Sequence, residues 1–330
     1  STGRCKCCGG PLLLPAKRVL HAGKSSGVNN VKPKTAAKKS SMRQPGRRLM
    51  IGGTMGFVLV TYGLFIFFPI VYGLWTSFYN WNPFRSQFEF VGLGNYTYVI
   101  QSPDFWLSLR NTVLFTIGAL IITVVFSLLL AAMMQGVKKG MGFYRGAYFL
   151  PVISSTVATS MLWKFMFRYD DGLFNALLMQ MGLSKVPWLQ DANVALPVLM
   201  FVQAWKDIGY ALVLILAGIN NIDPSIYESA EIDGASKPRQ FFSITLPLIR
   251  NTMTILIITK LIDYMQVYTP VKFITGGGPG TSTWTMSFYI FEQAFTYYNF
   301  GFASAVSFLL FAIIFVLSLI QMRFDKKEAD

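Results

Sequence analysis

Residues able to do chemistry are scarce in this chain and unevenly placed. His21 is the only histidine, and Cys5, Cys7 and Cys8 are the only cysteines. All four lie near the amino terminus, which excludes a histidine-dependent triad or a zinc-hydrolase centre in the apolar body. A Cys-x-Cys-Cys cluster can bind a soft metal. In a Gly-, Ser- and Lys-rich arm it reads as three reduced thiols, and no metal site is assigned. The body itself offers two groups of interest. One is a charged island, Tyr227-Glu228-Ser229-Ala230-Glu231-Ile232-Asp233-Gly234-Ala235, followed by Ile244-Thr245-Leu246-Pro247. The other is a set of ionisable residues inside apolar runs, Lys206, Asp207, Lys260 and Asp263.

Charges at membrane depth cost ~2.5–3.5 kcal/mol each on insertion scales, so they mark either a substrate path or an internal pair. Lys260 and Asp263 stand three apart on a helix and can neutralise each other. Nearby, Trp205, Tyr210, Tyr264, Gln266 and Tyr268 supply the ring faces and amide group that a sugar uses. Packing is the alternative role for each. No Gly-x4-Gly-Lys-[Ser/Thr] occurs. The Gly276–Gly280 run lacks a phosphate-binding lysine and reads as a turn outside the membrane. Nucleotide hydrolysis is therefore not expected on this chain.

The elements that must position these residues are apolar helices. The chain is 53% hydrophobic and only 13% charged, too little charge to cover a soluble surface. Stretches at about 50–75, 108–134, 145–167, 194–219, 249–271 and 301–322 are each long enough to span a bilayer. The fold class expected is all-α and integral to the membrane, with six spans. Residues 1–48 form a basic arm, 49–325 the membrane domain with a loop at 220–248, and 326–330 a short tail.

Basic residues orient the spans. The arm carries Arg4, Lys6, Lys17, Arg18, Lys24, Lys32, Lys34, Lys38, Lys39, Arg43, Arg47 and Arg48, with no acidic residue. It is expected to stay cytoplasmic and disordered. Its apolar piece, Pro11–Pro15, is too short for a signal peptide. Lys138, Lys139 and Arg145 place the second connection inside; Arg323, Lys326 and Lys327 place the carboxyl end inside. By the same count the Glu228–Pro247 island is cytoplasmic. The net charge of +14 then fits an anionic leaflet and not a nucleic acid.

Within the island, Asp223 suits an N-cap and Pro224 a first helical turn. Tyr227, Ile232 and the Phe241-Phe242 pair offer apolar anchors; Glu228, Glu231, Lys237 and Arg239 offer charges. Gly234 permits a bend between two helical pieces. On charge alone the island is either a solvated helical loop or a docking element. Elsewhere, Pro151 loosens the third span, whose freed carbonyls need partners from neighbouring helices. Gly301, Ala303, Ser304 and Ala305 permit close helix packing.

Glu228, Ala230, Asp233, Gly234, Ala235, Ile244, Leu246 and Pro247 resemble, in type and spacing, the EAA loop of permease subunits of binding-protein-dependent ABC importers. Ser229 stands where that loop usually has alanine. Further stretches resemble the carbohydrate-importing branch of the family: Leu109–Thr112, Arg145–Pro151, Gly172–Asn175, Gly278–Thr283 and Gly301–Ala305. Together they cover roughly residues 50–325.

The resemblance implies the type I importer permease fold in a bacterial cytoplasmic (inner) membrane. Tyr227, Glu228, Ala230, Glu231, Asp233, Gly234, Ala235, Ile244, Leu246 and Pro247 would then contact an ATPase, with Gly234 as hinge. The implied partners are a second homologous permease, two cytoplasmic ATPase subunits and a solute-binding protein outside the membrane. ATP and Mg would belong to the ATPases, with no cofactor on this chain and no catalysis by it. ATPase closure would open the permease outward to a loaded binding protein, and hydrolysis would relax it inward. The cargo expected is an oligosaccharide. The intramembrane lysines suggest an acidic one, such as alginate. The alternatives are a glycerol-phosphate-type ester as cargo or, in a different class, an ion-coupled secondary carrier.

Overall fold

The computed structural model describes residues 45–85, 87–134 and 140–327. The cysteine cluster, His21, Lys138 and Lys139 lie outside the described residues, as does most of the basic arm and of the tail. The chain divides into a unit ending at Phe57 and a unit from Val58 onward.

The helices are α1 (Pro45–Tyr62), α2 (Phe68–Thr76), α3 (Gly94–Gln101), α4 (Pro103–Met134), α5 (Met141–Ile153), α6 (Thr156–Met166), α7 (Leu173–Gln180), α8 (Ala192–Asn220), α9 (Pro224–Ile232), α10 (Lys237–Gln240), α11 (Leu246–Leu248), α12 (Arg250–Met265), α13 (Met286–Phe291) and α14 (Phe300–Lys327). A π-helical turn, Gly63–Phe67, joins α1 to α2. Among the described residues, Met50–Thr76, Pro103–Met134, Ala192–Asn220 and Phe300–Arg323 are long and apolar enough to cross a membrane. A fifth crossing arises if Lys237–Leu248 and Arg250–Met265, bent by 70°, act as one. The chain is thus a helical, multi-pass membrane protein.

The stretch at 145–167 is not one helix. Pro151 sits in the last turn of α5, Ser154 is extended (φ −72°, ψ 148°), and α6 starts afresh. The Ser155 hydroxyl caps α6, accepting from the Ala158 N–H at 3.5 Å. The stretch at 249–271 ends early, because α12 stops at Met265. At 1.5 Å per residue a helix of this length falls short of a ~30 Å hydrocarbon core.

The connection between α2 and α4 holds a small hairpin and α3. Strands β1 (Tyr79–Asn82) and β2 (Gln87–Phe90) form an antiparallel hairpin with Tyr79 opposite Phe90 and Asn82 opposite Gln87. Tyr79 and Phe88 stack across it at 4.5 Å. Asn95 fastens the hairpin, donating from Nδ2 to the Ser77 and Tyr79 carbonyls at 2.8 and 2.9 Å.

Side-chain contacts fix the helix directions. On α4 and α8, Gly118 faces Met200 and the Ser127 hydroxyl donates to the Ile208 carbonyl at 3.2 Å, so the two run parallel. On α8 and α12, Asp207 meets Lys260 and Gly218 meets Thr252, so these run antiparallel. One apolar cluster, around Phe115, Trp163, Leu199 and Tyr264, joins α4, α6, α8 and α12. Another, around Leu212, Ile215, Ile249 and Leu256, lies toward the far end of α8. A third packs α14 through Val306 and Leu310 against Val99, Met265 and Tyr289.

Small residues allow the closest approaches. A Cβ at Gly301 would overlap the Tyr79 carbonyl oxygen, and the Ser304 and Thr76 hydroxyls meet at 3.2 Å. The Gly276–Gly280 run folds as a turn, with Gly276, Gly277 and Gly280 at positive φ. Asn111 ties α4 to it, donating to the Thr281 and Trp284 carbonyls at 3.3 and 3.1 Å.

Candidate functional site

The charged island folds into a helix capped at both ends. Asp223 is the N-cap, its carboxylate accepting from the Ser225 N–H at 2.9 Å, with Pro224 in the first turn. That hydrogen bond from the backbone N–H, with its side-chain counterpart, holds the Asp223 carboxyl below its usual range. At the other end Gly234 is left-handed at φ +76°. Its N–H donates to the Glu231 carbonyl at 3.1 Å, and the Ala235 N–H donates to the Ala230 carbonyl at 2.9 Å. These two bonds form a Schellman motif, which needs a residue free to adopt positive φ at that position. Lys237 reaches back across the bend to pair with Glu231. Its hydrogen bond and positive charge lower the Glu231 carboxyl below its usual range.

The second half of the island is tied to the first from inside. Buried Gln240 donates to the Ala235 carbonyl at 3.0 Å. The Tyr227 and Thr245 hydroxyls meet at 2.9 Å. Thr245 belongs to a π-helical turn, Phe241–Thr245, that leads through Leu246-Pro247 into α12. The Tyr227–Thr245 hydroxyl pair thus joins α9 to the turn that precedes α12, and the Gln240 amide holds the bend between them.

The outward face is apolar and charged together. Ile232 is 87% exposed and Phe242 67% exposed, and Glu228 is exposed as well. Phe241 does not join them: it is buried, and it meets Phe242 edge to face at 5.4 Å. Tyr227 is half-buried with its hydroxyl turned inward. Of the predicted apolar anchors, Ile232 and Phe242 are the two that are exposed.

The intramembrane ionisable residues of α8 and α12 separate into two places. Asp207, Lys260 and Asp263 come together. The Lys260 ammonium lies 3.0 Å from Asp207 Oδ1 and 3.2 Å from Asp263 Oδ2. It also lies over the Tyr210 ring at 4.6 Å. Gln203, one turn before Asp207 on α8, donates to Asp207 Oδ2 at 2.6 Å. Tyr264 is fully buried beneath this cluster, its hydroxyl 2.8 Å from that of Thr123. In this conformation Tyr264 is a packing residue.

Lys206 points toward α5 instead. Its ammonium donates to the carbonyls of Pro151, Val152 and Ser154 at 3.1, 3.3 and 2.8 Å. Those are the oxygens freed where α5 ends, and the ammonium has three donors to give them. Trp205 lies on the same side, edge to face with Trp163 at 5.2 Å. It lines a mostly apolar groove of about 730 Å³ with Tyr148, Pro151 and Phe201. Gln266 and Tyr268 lie beyond the end of α12. Gln266 is exposed, and Tyr268 packs on Phe291 at 5.0 Å.

Two polar features are absent from the sequence reading. Gln203 sits four residues before Asp207, a helical spacing that signals contact. The Lys272–Glu292 pair, at 3.1 Å and flanked by Phe291, has no local signal because its members come from separate π-helical turns.

Comparison with known proteins agrees with this geometry. Residues 139–329 match the family described as binding-protein-dependent transport system inner membrane component. A probable ABC transporter permease protein, YurN of Bacillus subtilis, is 34% identical over 80% of this chain and 91% of its own length. The trehalose/maltose transport system permease protein MalF of Thermococcus litoralis is 32% identical over 86% of this chain and 96% of its own. A chain in the crystal structure of a bacterial ABC transporter involved in the import of the acidic polysaccharide alginate superposes with a TM-score of 0.76. That pair shares 23% identity across 86% of this chain and 96% of the other, a likeness of fold. The chain belongs to the family of inner membrane components of binding-protein-dependent transport systems, and it has the type I ABC importer permease fold.

Proposed function

We propose that the chain is the six-span permease subunit of a bacterial inner-membrane importer for a neutral carbohydrate, driven by ATPases on separate polypeptides. The observation that carries this is the Glu228–Pro247 segment. It contains most of α9, a helix capped at both ends with Ile232 exposed at its tip, and it is tied back toward the start of α12 by Tyr227–Thr245 and, across the bend, by Gln240–Ala235. Exposed Ile232 and Phe242 suit a lever pressed into a groove of a partner. The two α5–α6 pieces count as one interrupted span, and α12 with the π-helical turn Val271–Thr275 beyond it as another. Six spans follow, with both chain ends in the cytoplasm beside the basic residues. A second, homologous permease completes the pathway, and two ATPase subunits bind ATP and Mg.

Carbohydrate as cargo is supported by the relative named as a trehalose/maltose permease. The suggestion of an acidic cargo rested on Lys206 and Lys260. Lys206 gives its three donors to carbonyls, and Lys260 is held between two carboxylates. Neither is poised to hold an anion, so the favoured cargo is neutral. Asp263, Tyr210 and Trp205 remain reachable along the two faces of α8 and are the candidates for contact with it.

The test is uptake into proteoliposomes holding the complex that co-purifies with this chain. ATP inside and a loaded binding protein outside support uptake of a neutral oligosaccharide, and ionophores leave it unchanged. Uptake that needs an ion gradient and ignores ATP contradicts the proposal and favours an ion-coupled carrier.

A further inference from the structure

A second pocket, of about 620 Å³, opens at the end of the bundle remote from the coupling segment. Asp104, in the first turn of α4, lines it. Because α4 runs parallel to α8, and α8 leads at its far end into α9, this pocket and the Glu228–Pro247 segment lie at opposite ends of the helices.

The pocket is built from surfaces that a sugar ring fits. Its floor is a set of rings locked by one another: Trp284 against Tyr289 at 5.8 Å, Tyr289 against Phe302 at 6.2 Å, and Tyr98 against Phe302 at 5.5 Å. Tyr98 is 67% exposed and Tyr297 51% exposed, so both keep ring faces and hydroxyls available. Between them stand Asn80, Gln293 and Asn299. The Asp104 carboxylate makes no hydrogen bond or ion pair among the described residues. The rim is held in place by Tyr298, which is left-handed at φ 58°. The Tyr297 and Asn299 N–H groups donate to the Glu292 and Gln293 carbonyls at 2.9 and 2.8 Å on either side of it.

A pyranose presents an apolar face of C–H bonds and an equatorial belt of hydroxyls. Aromatic faces take the first; amides and a free carboxylate take the second. Asp104 gives the lining a negative charge, which disfavours carboxylate or phosphate groups on a ligand. We propose that this pocket is an outer binding site for one or two rings of a neutral saccharide, separate from any site within the membrane. The proposal rests on the carbohydrate reading above.

The test uses the assembled importer in nanodiscs without its binding protein. Saturation-transfer NMR is recorded with maltose, trehalose and lactose, and with glucuronate as the anionic probe. A saturable signal is expected for at least one neutral disaccharide and none for glucuronate. Tyr98→Ala weakens the neutral sugar by about 5–10-fold. Asp104→Asn admits glucuronate, a change that a structural role for Asp104 does not produce. Both variants assemble as the native complex does on gel filtration. No saturable signal, or one that ignores both variants, overturns the site. Uptake by the same complex in proteoliposomes, with ATP inside and loaded binding protein outside, separates the two readings. ATP-driven sugar uptake without outer binding removes this pocket alone, whereas failure of uptake for every neutral sugar removes the carbohydrate reading beneath it.

Discussion

The Lys260 ammonium on α12 stands 3.0 Å from Asp207 Oδ1 on α8, with side-chain exposures of 8% and 12%. The pair sets the register between two antiparallel helices, one of which leads into the coupling segment while the other leads out of it. Removing Lys260 leaves the buried Asp207 carboxylate without its counterpart, at a cost of about 3–5 kcal/mol, whereas removing Asp207 leaves Lys260 its second partner, Asp263, and costs less. Asp207→Leu and Lys260→Met should each lower the thermal midpoint of the purified complex. Combined, they should recover most of the loss, because two apolar side chains tolerate the site. Single variants that melt with the native complex would show that the pair carries no structural weight.

Lys206 closes the interrupted α5–α6 span by donating to three carbonyls, of which that of Pro151 also accepts from the Ser154 N–H and hydroxyl. Lys206→Met takes this donor from the Val152 and Ser154 carbonyls, at about 1–3 kcal/mol for each group that stays buried and unsatisfied. Amide exchange at residues 153–158 should accelerate, and Lys206→Arg should restore most of the protection. Unchanged exchange in the Met variant would mean that water already serves these oxygens.

Glycine substitutions should rank by what a Cβ meets. At Gly209 it would overlap the Tyr148 carbonyl oxygen, and at Gly301 that of Tyr79. Gly209→Ala and Gly301→Ala force a backbone to move and should reduce the yield of folded complex sharply. At Gly234 nothing lies within 4 Å, so only the left-handed φ matters. Gly234→Ala costs about 1–2 kcal/mol and should leave assembly intact. Yields in the reverse order would contradict the close contacts.

Acid should loosen the coupling segment before it affects the helices. The Asp223 and Glu231 carboxyls are held below their ordinary values of 3.8 and 4.5. A lowered folded value means the contribution is complete above the ordinary value and is lost as pH falls through the folded one. The protection of amides in residues 224–235, taken against the intrinsic exchange rate at each pH, should therefore stay flat between pH 6 and 8 and fall below about pH 4. Glu231→Gln should remove part of that fall. A transition near neutral pH would point to another group.

Local chemistry explains most of what the sequence foretells. The Asp223-Pro224 start and the Gly234 bend are legible because capping is decided within a few residues. The packing of α14 is legible from its small residues, as Gly301 and Ser304 bear out. Long-range partnerships are not. Pro151 announces freed carbonyls, but their donor, Lys206, is 55 residues from Pro151. Phe241 and Phe242 are equivalent in sequence, and only the π-helical turn decides that one is buried and the other exposed. The alternation Gln87-Phe88-Glu89-Phe90 is a strand signal. It is masked by the turn residues Asn82-Pro83 that precede it. Hydropathy overstates the length of α12 and hides the break at Ser154, since both stretches stay apolar where the helix stops.

The central claim is that Glu228–Pro247 transmits work from an ATPase on another chain. Substrate-stimulated ATP hydrolysis in proteoliposomes tests it most directly, with the native complex compared with Ile232→Asp, which changes the tip of α9 and nothing buried. The account predicts that stimulation by loaded binding protein is lost, or that the ATPase subunit dissociates, while the membrane subunits stay assembled. Full stimulation and uptake in Ile232→Asp and in Glu228→Lys alike would contradict it.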